Sequence, residues 1–383
     1  MSTHPDRPLS VLHIGKYFPP FRGGMEAFLA DLVQAQAAQG LRVGALVHDH
    51  SRGRVAPEEV LPIVGPYPAQ LWRVPSYGQL LYAPVSPAFP VHLWRVLREL
   101  RPDVLHLHLP NTSAFWPLFF PRARRLPWVI HWHADVIATP GDGLLDTVYP
   151  LYAPFERAML RHSQAVIVTS PPYCATSRPL ESFQSRCEIV PLGINPARLP
   201  EPSWHARAWA ERQWCRDAGF LRVLFVGRIT PYKGLEVLAQ ALMGMTGVRV
   251  LVVGDGEGRG ALALKIQSLG VGEGISLLGS CHGDRLRGLY QTCDCLCLPS
   301  LERSEAFGVV LMEAMRYGKA LVTTAIPGSG VGWVNREGVT GLTVPVGDPM
   351  ALADALARLR DHPDLAARLG RQGAREFGRR FHI

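Results

Sequence analysis

Two α/β units, each a doubly wound parallel sheet, one following the other along the chain, are what this sequence predicts. Three observations carry that reading. Short apolar runs end in Gly or Pro and alternate with segments whose apolar residues recur at helical spacing, the pattern of parallel strands covered on both faces by helices. The alternation is interrupted once, over residues 195–219, by a stretch rich in Pro and then in Trp and Arg. The length of 383 residues amounts to about two domains of chain.

In the first half, residues 10–15 read as a strand, 17–22 as a Pro-rich loop, Gly23 and Gly24 as a turn, and 25–38 as a helix ended by Gly40. Strand, glycine turn and helix in succession form a phosphate-binding geometry, because glycine lets the backbone approach an anion that the helix end favours. A plain turn uses the same glycines. Further strands are expected over 42–47, 104–109, 128–132, 165–170 and 188–191, with helices over 90–100 and 144–161 between them. His106, His108, His131 and His133 alternate at the ends of two of these strands. Four histidines invite a metal, but the spacing matches no common zinc motif, and hydrogen-bonded structural histidines are the plainer reading. No metal is expected. Residues 115–128 mix five aromatic residues with Arg122, Arg124 and Arg125 and no acid. That composition suits a bilayer interface, and equally a helix packed in its domain with an exposed basic edge.

Residues 195–219 read as the connection between domains. The second series of strands is expected over 222–227, 248–254, 275–279, 294–298, 320–324 and 341–345, with helices starting near Gly234, Gly258, Gly283, Gly308 and Asp348. Ligands of such sheets collect at the carboxyl ends of the strands, where the chemistry-bearing residues of this half fall. Arg228 and Lys233 lie in the loop after the first strand. Glu305 precedes a helix that Gly308 opens and Gly318 closes, and Glu313 lies more than a turn inside it. Helical side chains lean toward the N-terminus, so both acids can reach one ligand lying across that end. The same end suits a phosphate, which two acids would repel unless they hold hydroxyl groups and Arg228 and Lys233 hold the phosphate. Of 40 basic residues only Lys16, Lys233, Lys265 and Lys319 are lysines, and Lys233 is where a compact ammonium is most wanted. Residues 254–260 follow a strand and fit a dinucleotide fingerprint only in the register Gly256, Gly258, Ala261; a P-loop sequence is absent. Cys293, Cys295 and Cys297 share one face of a strand and read as small buried residues.

As a set, these motifs resemble glycosyltransferase family 4. The apolar strand ending in Gly227-Arg228, the Lys233-Gly234 that follows, and Glu305 with Glu313 carry the likeness, joined by Gly23-Gly24-Met25-Glu26, His131-Trp132-His133-Ala134-Asp135, residues 190–195 and residues 253–256. It covers nearly the whole chain. It implies the GT-B fold, two Rossmann-like domains facing across a cleft, with residues 1–200 binding the acceptor and 201–383 the nucleotide sugar. It implies transfer that retains the anomeric configuration, with no metal or other cofactor. Lys233 and Arg228 would hold the diphosphate, Glu313 the ribose hydroxyls and Glu305 the hydroxyls of the transferred sugar. Backbone N–H groups around Phe307, Gly308 and Val309 would assist, with Gly23, Gly24 and Gly254 lining the donor site. His133 would contact the sugar near its reacting carbon. Asp135 would hold its local loop or an acceptor hydroxyl, and His108 the acceptor. The catalytic set is thus His133, Arg228, Lys233 and Glu305. Residues 321–343 look like mannosyl- and rhamnosyl-type enzymes of bacterial surface polysaccharides, which makes GDP-mannose the donor expected and a glycan or lipid-linked glycan the acceptor. Two rivals stand beside this: a nucleotide-sugar 2-epimerase of the same fold, and a non-catalytic partner protein that keeps the cleft. The spacing of Glu305 and Glu313 favours transfer over epimerisation, and the intact set of polar residues speaks against an inactive partner. In the family a last helix usually crosses back to the first domain; here the sequence stops near where it would start, so looser docking is expected.

Composition narrows the class further. A content of 47% hydrophobic and 19% charged residues is ordinary for a globular protein. The net charge of +8 is spread evenly, with 18 Lys/Arg against 14 Asp/Glu in residues 1–200 and 22 against 18 in the rest. With no basic tail, zinc-finger spacing or RRM signature, nucleic acid is not an expected partner; attraction to anionic lipid is. The start lacks a signal-peptide pattern, no run approaches the roughly 18 apolar residues of a membrane span, and seven cysteines read as reduced thiols. A cytoplasmic protein is expected, with the inner face of the plasma membrane as the place where the basic aromatic segment would dock.

Overall fold

A computed structural model describes residues 7–50, 59–61, 66–80, 83–136, 143–214 and 219–383. It divides into two compact units, one running through Gly193 and taking in Ile383, the other from Ile194 to His382. The division falls at Gly193, slightly earlier than the boundary expected after residue 200.

In the first unit the strands are β1 (Ser10–Ile14), β2 (Arg42–His48), β3 (Glu59–Leu61), β4 (Ala69–Val74), a small hairpin of β5 (Gln79–Leu80) and β6 (Ala83–Pro84), then β7 (Val104–Leu109), β8 (Trp128–Trp132), β9 (Ala165–Val168) and β10 (Cys187–Ile189). Eight of them form one sheet in the order β10-β9-β8-β7-β1-β2-β4-β3, parallel except for the β3–β4 pair. β4 escapes a sequence reading because it emerges from a Pro- and Gly-rich stretch and is only six residues long. It is nevertheless part of the core: Ala69 and Leu71 join Leu29, Val33 and Val43 under the helix Gly24–Ala38. The register sets His13 of β1 opposite His106 of β7, and His108 of β7 opposite His131 of β8.

The second unit holds β11 (Leu221–Val226), β12 (Val248–Val253), β13 (Ile275–Gly279), β14 (Cys295–Leu298), β15 (Ala320–Thr324) and β16 (Gly341–Val344). They form a fully parallel sheet in the order β13-β12-β11-β14-β15-β16, the doubly wound order with its reversal between β11 and β14. Near-continuous apolar strands are what burial on both faces requires. Cys293, Cys295 and Cys297 are all buried, and burial pushes the Cys293 and Cys297 thiols up to about 12. Cys215 lies outside the described residues.

The stretch from Asn195 to Trp214 belongs to the second unit. The helix Trp204–Glu211 inside this stretch packs on the helix Gly283–Thr292 of the second unit, and the buried Trp214 donates its indole N–H to Thr292 Oγ1 at 2.9 Å. The contact is close because Gly288 has no side chain: a Cβ there would stand 2.6 Å from the carbonyl oxygen of Ala206. The end of the sequence is also packed. After the helix Pro363–Glu376, Phe377 and Phe381 are buried, and Ile194 donates its N–H to Phe381 O at 2.8 Å. Gly288→Ala should therefore destabilise the second unit by about 1–3 kcal/mol, read as a lower midpoint in denaturant. An unchanged midpoint would contradict the close helix contact.

Candidate active site

The loops that leave β11 and β14, the two strands flanking the reversal, carry the strongest candidates. After β11 the chain passes Arg228, makes one tight turn at Pro231–Lys233, reverses at Gly234 and enters the helix Leu235–Ala241. Gly234 has φ of 67°, and a Cβ there would overlap the carbonyl oxygen of Pro299, just past β14. Only glycine combines that conformation with so close an approach. Leu301 then donates its N–H to Tyr232 O at 2.7 Å, which sews the two loops together. With the backbones in contact, Lys233 Nζ pairs with Glu305 Oε2, which also accepts from Ser300 Oγ at 3.1 Å. Both side chains are almost buried. Burial pushes the Lys233 ammonium down, but the Glu305 charge and hydrogen bonds to Glu305 and Tyr232 outweigh it and hold the pKa above the ordinary lysine value. The Ser329 hydroxyl donates to Glu305 O and the Gly330 N–H to Ala306 O, fixing the approach to Phe307 and Gly308. Gly308, with φ of 79°, turns the chain into the helix Val309–Arg316.

Other predicted residues of this unit have separate partners. Glu313 Oε2 accepts from the buried Tyr290 hydroxyl at 2.7 Å, and Arg198 stands 3.6 Å from Oε1. Arg198 was missed from sequence because it lies in the stretch read as a linker. Arg228 does not join Lys233 and Glu305: its guanidinium is largely exposed and faces Glu257 at 3.5 Å. The glycines after β12 have a packing role of their own. A Cβ on Gly254 would overlap Gly227 O, and one on Gly256 would overlap Ile229 O, so the glycine run lets two loop backbones touch.

In the first unit, Gly23 precedes the helix Gly24–Ala38, and Glu26 Oε2 occupies the space that a Gly23 Cβ would need. The start of this helix thus already faces an acid, Glu26, whose carboxyl burial pushes up. Five imidazoles, His13, His106, His108, His131 and His133, stack nearby with all their side chains buried. His13 carried no spacing signal and was missed. His108 has its Nε2 3.1 Å from His13 Nδ1 and its Nδ1 3.0 Å from His133 Nε2. Both nitrogens being engaged, His108 supports its neighbours and has no nitrogen left for an acceptor, a correction of the expected role. Burial lowers His13 to about 4 and His133 to about 3, and His106, His108 and His131 well below the ordinary value. Asp135 Oδ1 accepts from Trp132 Nε1 at 2.8 Å and from Ser177 Oγ at 2.6 Å, which holds the loop after β8. Among the described residues, two triads, His13/His106/His108 and His108/His131/His133, bring three ring nitrogens within 4.8 Å. A tetrahedral zinc site needs nitrogens about 3.3 Å apart converging on one point, whereas the rings of His108, His131 and His133 lie within 18° of parallel.

A charged pair at the carboxyl ends of the two strands that flank a reversal is the place where a doubly wound sheet holds an anionic ligand. Residues 23–193 match the family described as glycosyl transferase 4-like domain, and residues 211–376 match glycosyl transferases group 1. The chain belongs to the family 4 glycosyltransferases. It is 28% identical over 380 residues to the D-rhamnosyltransferase WbpZ of Pseudomonas aeruginosa, covering 97% of this chain and 92% of that one. It is 26% identical to O-antigen chain mannosyltransferase C of Escherichia coli, covering 97% and 94%. Among solved structures, the sucrose-phosphate synthase of Thermosynechococcus elongatus superposes with a TM-score of 0.79 at 23% identity over 98% of this chain and 95% of that one. Anabaena HepE, solved with UDP and glucose, gives 0.72 at 19% identity over 98% and 96%. The fold of this glycosyltransferase is GT-B. The two relatives matched by sequence are named as transferases and lend the epimerase reading no support.

The buried imidazoles give the glycosyltransferase a pH signature. Unfolded, each takes up a proton near its ordinary pKa of 6.5; folded, His13 does so only near 4. Their contribution to stability is complete above about 6.5 and is lost as pH falls toward the folded values. Glu156, which burial raises to about 7, works in the opposite sense between 4.5 and 7. The melting temperature should fall steeply from pH 6.5 to 4, and less steeply in His131→Gln. A flat profile would contradict neutral burial of the cluster.

Proposed function

We propose that this glycosyltransferase moves a hexosyl unit, mannose from GDP-mannose, onto a glycan or lipid-linked glycan in surface polysaccharide synthesis, with retention of configuration. The observation that carries the donor site is the Lys233–Glu305 pair at the ends of β11 and β14. The names of its relatives, an O-antigen mannosyltransferase and a D-rhamnosyltransferase, support the sugar and the polysaccharide.

In this reading Lys233 leaves Glu305 for the diphosphate and Arg228 swings in from its exposed position beside Glu257. Glu305 then takes hydroxyls of the transferred sugar, Glu313 those of the ribose, and the N–H groups around Phe307, Gly308 and Val309 complete the donor contacts. Gly23, Gly24 and Gly254 let backbone approach the donor, His133 contacts the sugar and Asp135 keeps the loop of His133 in place. No carboxylate is assigned as a nucleophile. The bond from the anomeric carbon to the diphosphate oxygen breaks, the acceptor oxygen bonds on the same face, and the acceptor proton passes to the departing phosphate oxygen. Lys233 and Arg228 offset the charge growing on that leaving group, without a metal.

The acceptor side draws on the basic aromatic segment. Phe115 and Trp128 are buried, but Phe119 is 60% exposed and Arg122, Arg124 and Arg125 face solvent. Trp94, itself half exposed under Arg98, and Phe120, Arg122 and Arg125 line a groove of about 550 Å³. Exposed aromatic rings beside arginines suit anionic phospholipid headgroups. Among the described residues no helix is long and apolar enough to cross a membrane, so attachment would be peripheral, at the cytoplasmic face.

Incubation with GDP- and UDP-sugars and an acceptor extract should release nucleoside diphosphate and glycosylate the extract; neither product with any donor would end the proposal. Lys233→Ala should lower turnover on the order of a hundredfold in protein that still folds by circular dichroism but melts lower, because Glu305 loses its partner; turnover within a few-fold of wild type would remove Lys233 from the mechanism. Replacing Arg122, Arg124 and Arg125 by Ser should reduce binding to phosphatidylglycerol vesicles, and unchanged binding would leave those arginines no membrane role.

A further inference from the structure

Three of the five stacked imidazoles form a line with a direction. His13 stands on β1, His108 on β7 and His133 just past β8, three adjacent strands. Gln36, on the helix Gly24–Ala38, meets the line at one end, its Oε1 2.7 Å from His13 Nε2. His13 Nδ1 then faces His108 Nε2 at 3.1 Å, and His108 Nδ1 faces His133 Nε2 at 3.0 Å. His133 Nδ1 at the far end is buried and has no hydrogen-bond partner among the described residues.

Each contact needs one proton, and each neutral ring supplies one. The carbonyl oxygen of Gln36 only accepts, so the proton of His13 is on Nε2 and its Nδ1 accepts. His108 must then carry its proton on Nε2 and accept on Nδ1, and His133 must do the same. Fixing one end fixes all three tautomers, because the proton of one ring nitrogen is set by the bond the other makes. The line is not a proton exit, since the amide at its end does not take up a proton at neutral pH. We propose that Gln36, His13 and His108 are positioning residues that lock His133 in its Nε2–H tautomer, so that Nδ1 is presented as an acceptor to a hydroxyl of the transferred sugar. The sugar contact rests on the proposed function above; the tautomer lock does not. His131 stacks on His133 at 4.4 Å and on His108 at 5.4 Å, which keeps the rings from turning out of line.

The test is two-bond ¹H–¹⁵N correlation of the full chain labelled with ¹⁵N-histidine, at pH 7, which separates Nδ1–H, Nε2–H and imidazolium rings. His13, His108 and His133 should each be a single Nε2–H tautomer. Gln36→Glu, whose ionised carboxylate also only accepts, should keep that pattern, while Gln36→Met should mix the two tautomers of His133 and lower kcat about tenfold, with Glu restoring most of it. His133 found as Nδ1–H in the wild type, or unmoved in a folded Gln36→Met, overturns the lock, and the wild-type spectrum decides alone if that variant fails to fold. Titration with GDP-mannose and UDP-glucose should shift His133 Nδ1, where GDP and UDP do not. A signal unmoved by both sugars overturns the sugar contact while the wild-type tautomers still judge the lock.

Discussion

The pairing of Lys233 with Glu305 is the constraint on which the second unit is built. A buried ammonium and a buried carboxylate are each costly alone and tolerable only together, with further hydrogen bonds to the remaining lone pairs. Here Ser300 supplies such a bond, and glycine at 234 lets the two loops close until the charges meet. The same logic repeats beside it, where Gly254 and Gly256 bring the next loop against Gly227 and Ile229. Backbone-to-backbone contact between three loops gives a rigid rim at the carboxyl ends of β11, β12 and β14. Side chains mounted on that rim need little reorganisation to meet a charged ligand, which is where preorganised electrostatics gain most.

The first unit solves a different problem. Its stacked imidazoles are held neutral by burial, each with one donor and one acceptor nitrogen. Burial that keeps them uncharged also makes the direction of their hydrogen bonds matter, since a neutral ring with its proton on the wrong nitrogen leaves two contacts unmade.

Much of this was legible in the sequence, for reasons that are local. β7, β8, β13 and β15 lie where apolar runs between glycines and prolines put them, and Lys233 and Glu305 fall on loops because strands must end before a parallel crossover. Other features depend on partners distant in sequence. Nothing in a lone histidine at position 13 announces two ring neighbours from β7, and Gln36 on the surface periodicity of a helix looks like a solvated residue. The motif that holds Glu26 does not announce that its carboxylate folds back over Gly23. β4 needed the core beneath it to become a strand. The helix Trp204–Glu211 was masked by prolines around it, and with it went Arg198, the neighbour of Glu313.

Calorimetric titration of GDP and UDP into the wild type, Lys233→Met and Glu305→Gln measures directly whether the Lys233 ammonium is the group that receives a nucleoside diphosphate. Glu305 competes with the diphosphate for that ammonium, so Glu305→Gln should bind the better nucleotide at least as tightly as the wild type, while Lys233→Met binds it about 10- to 100-fold more weakly. Equal affinity of the wild type and Lys233→Met for both nucleotides would contradict the account.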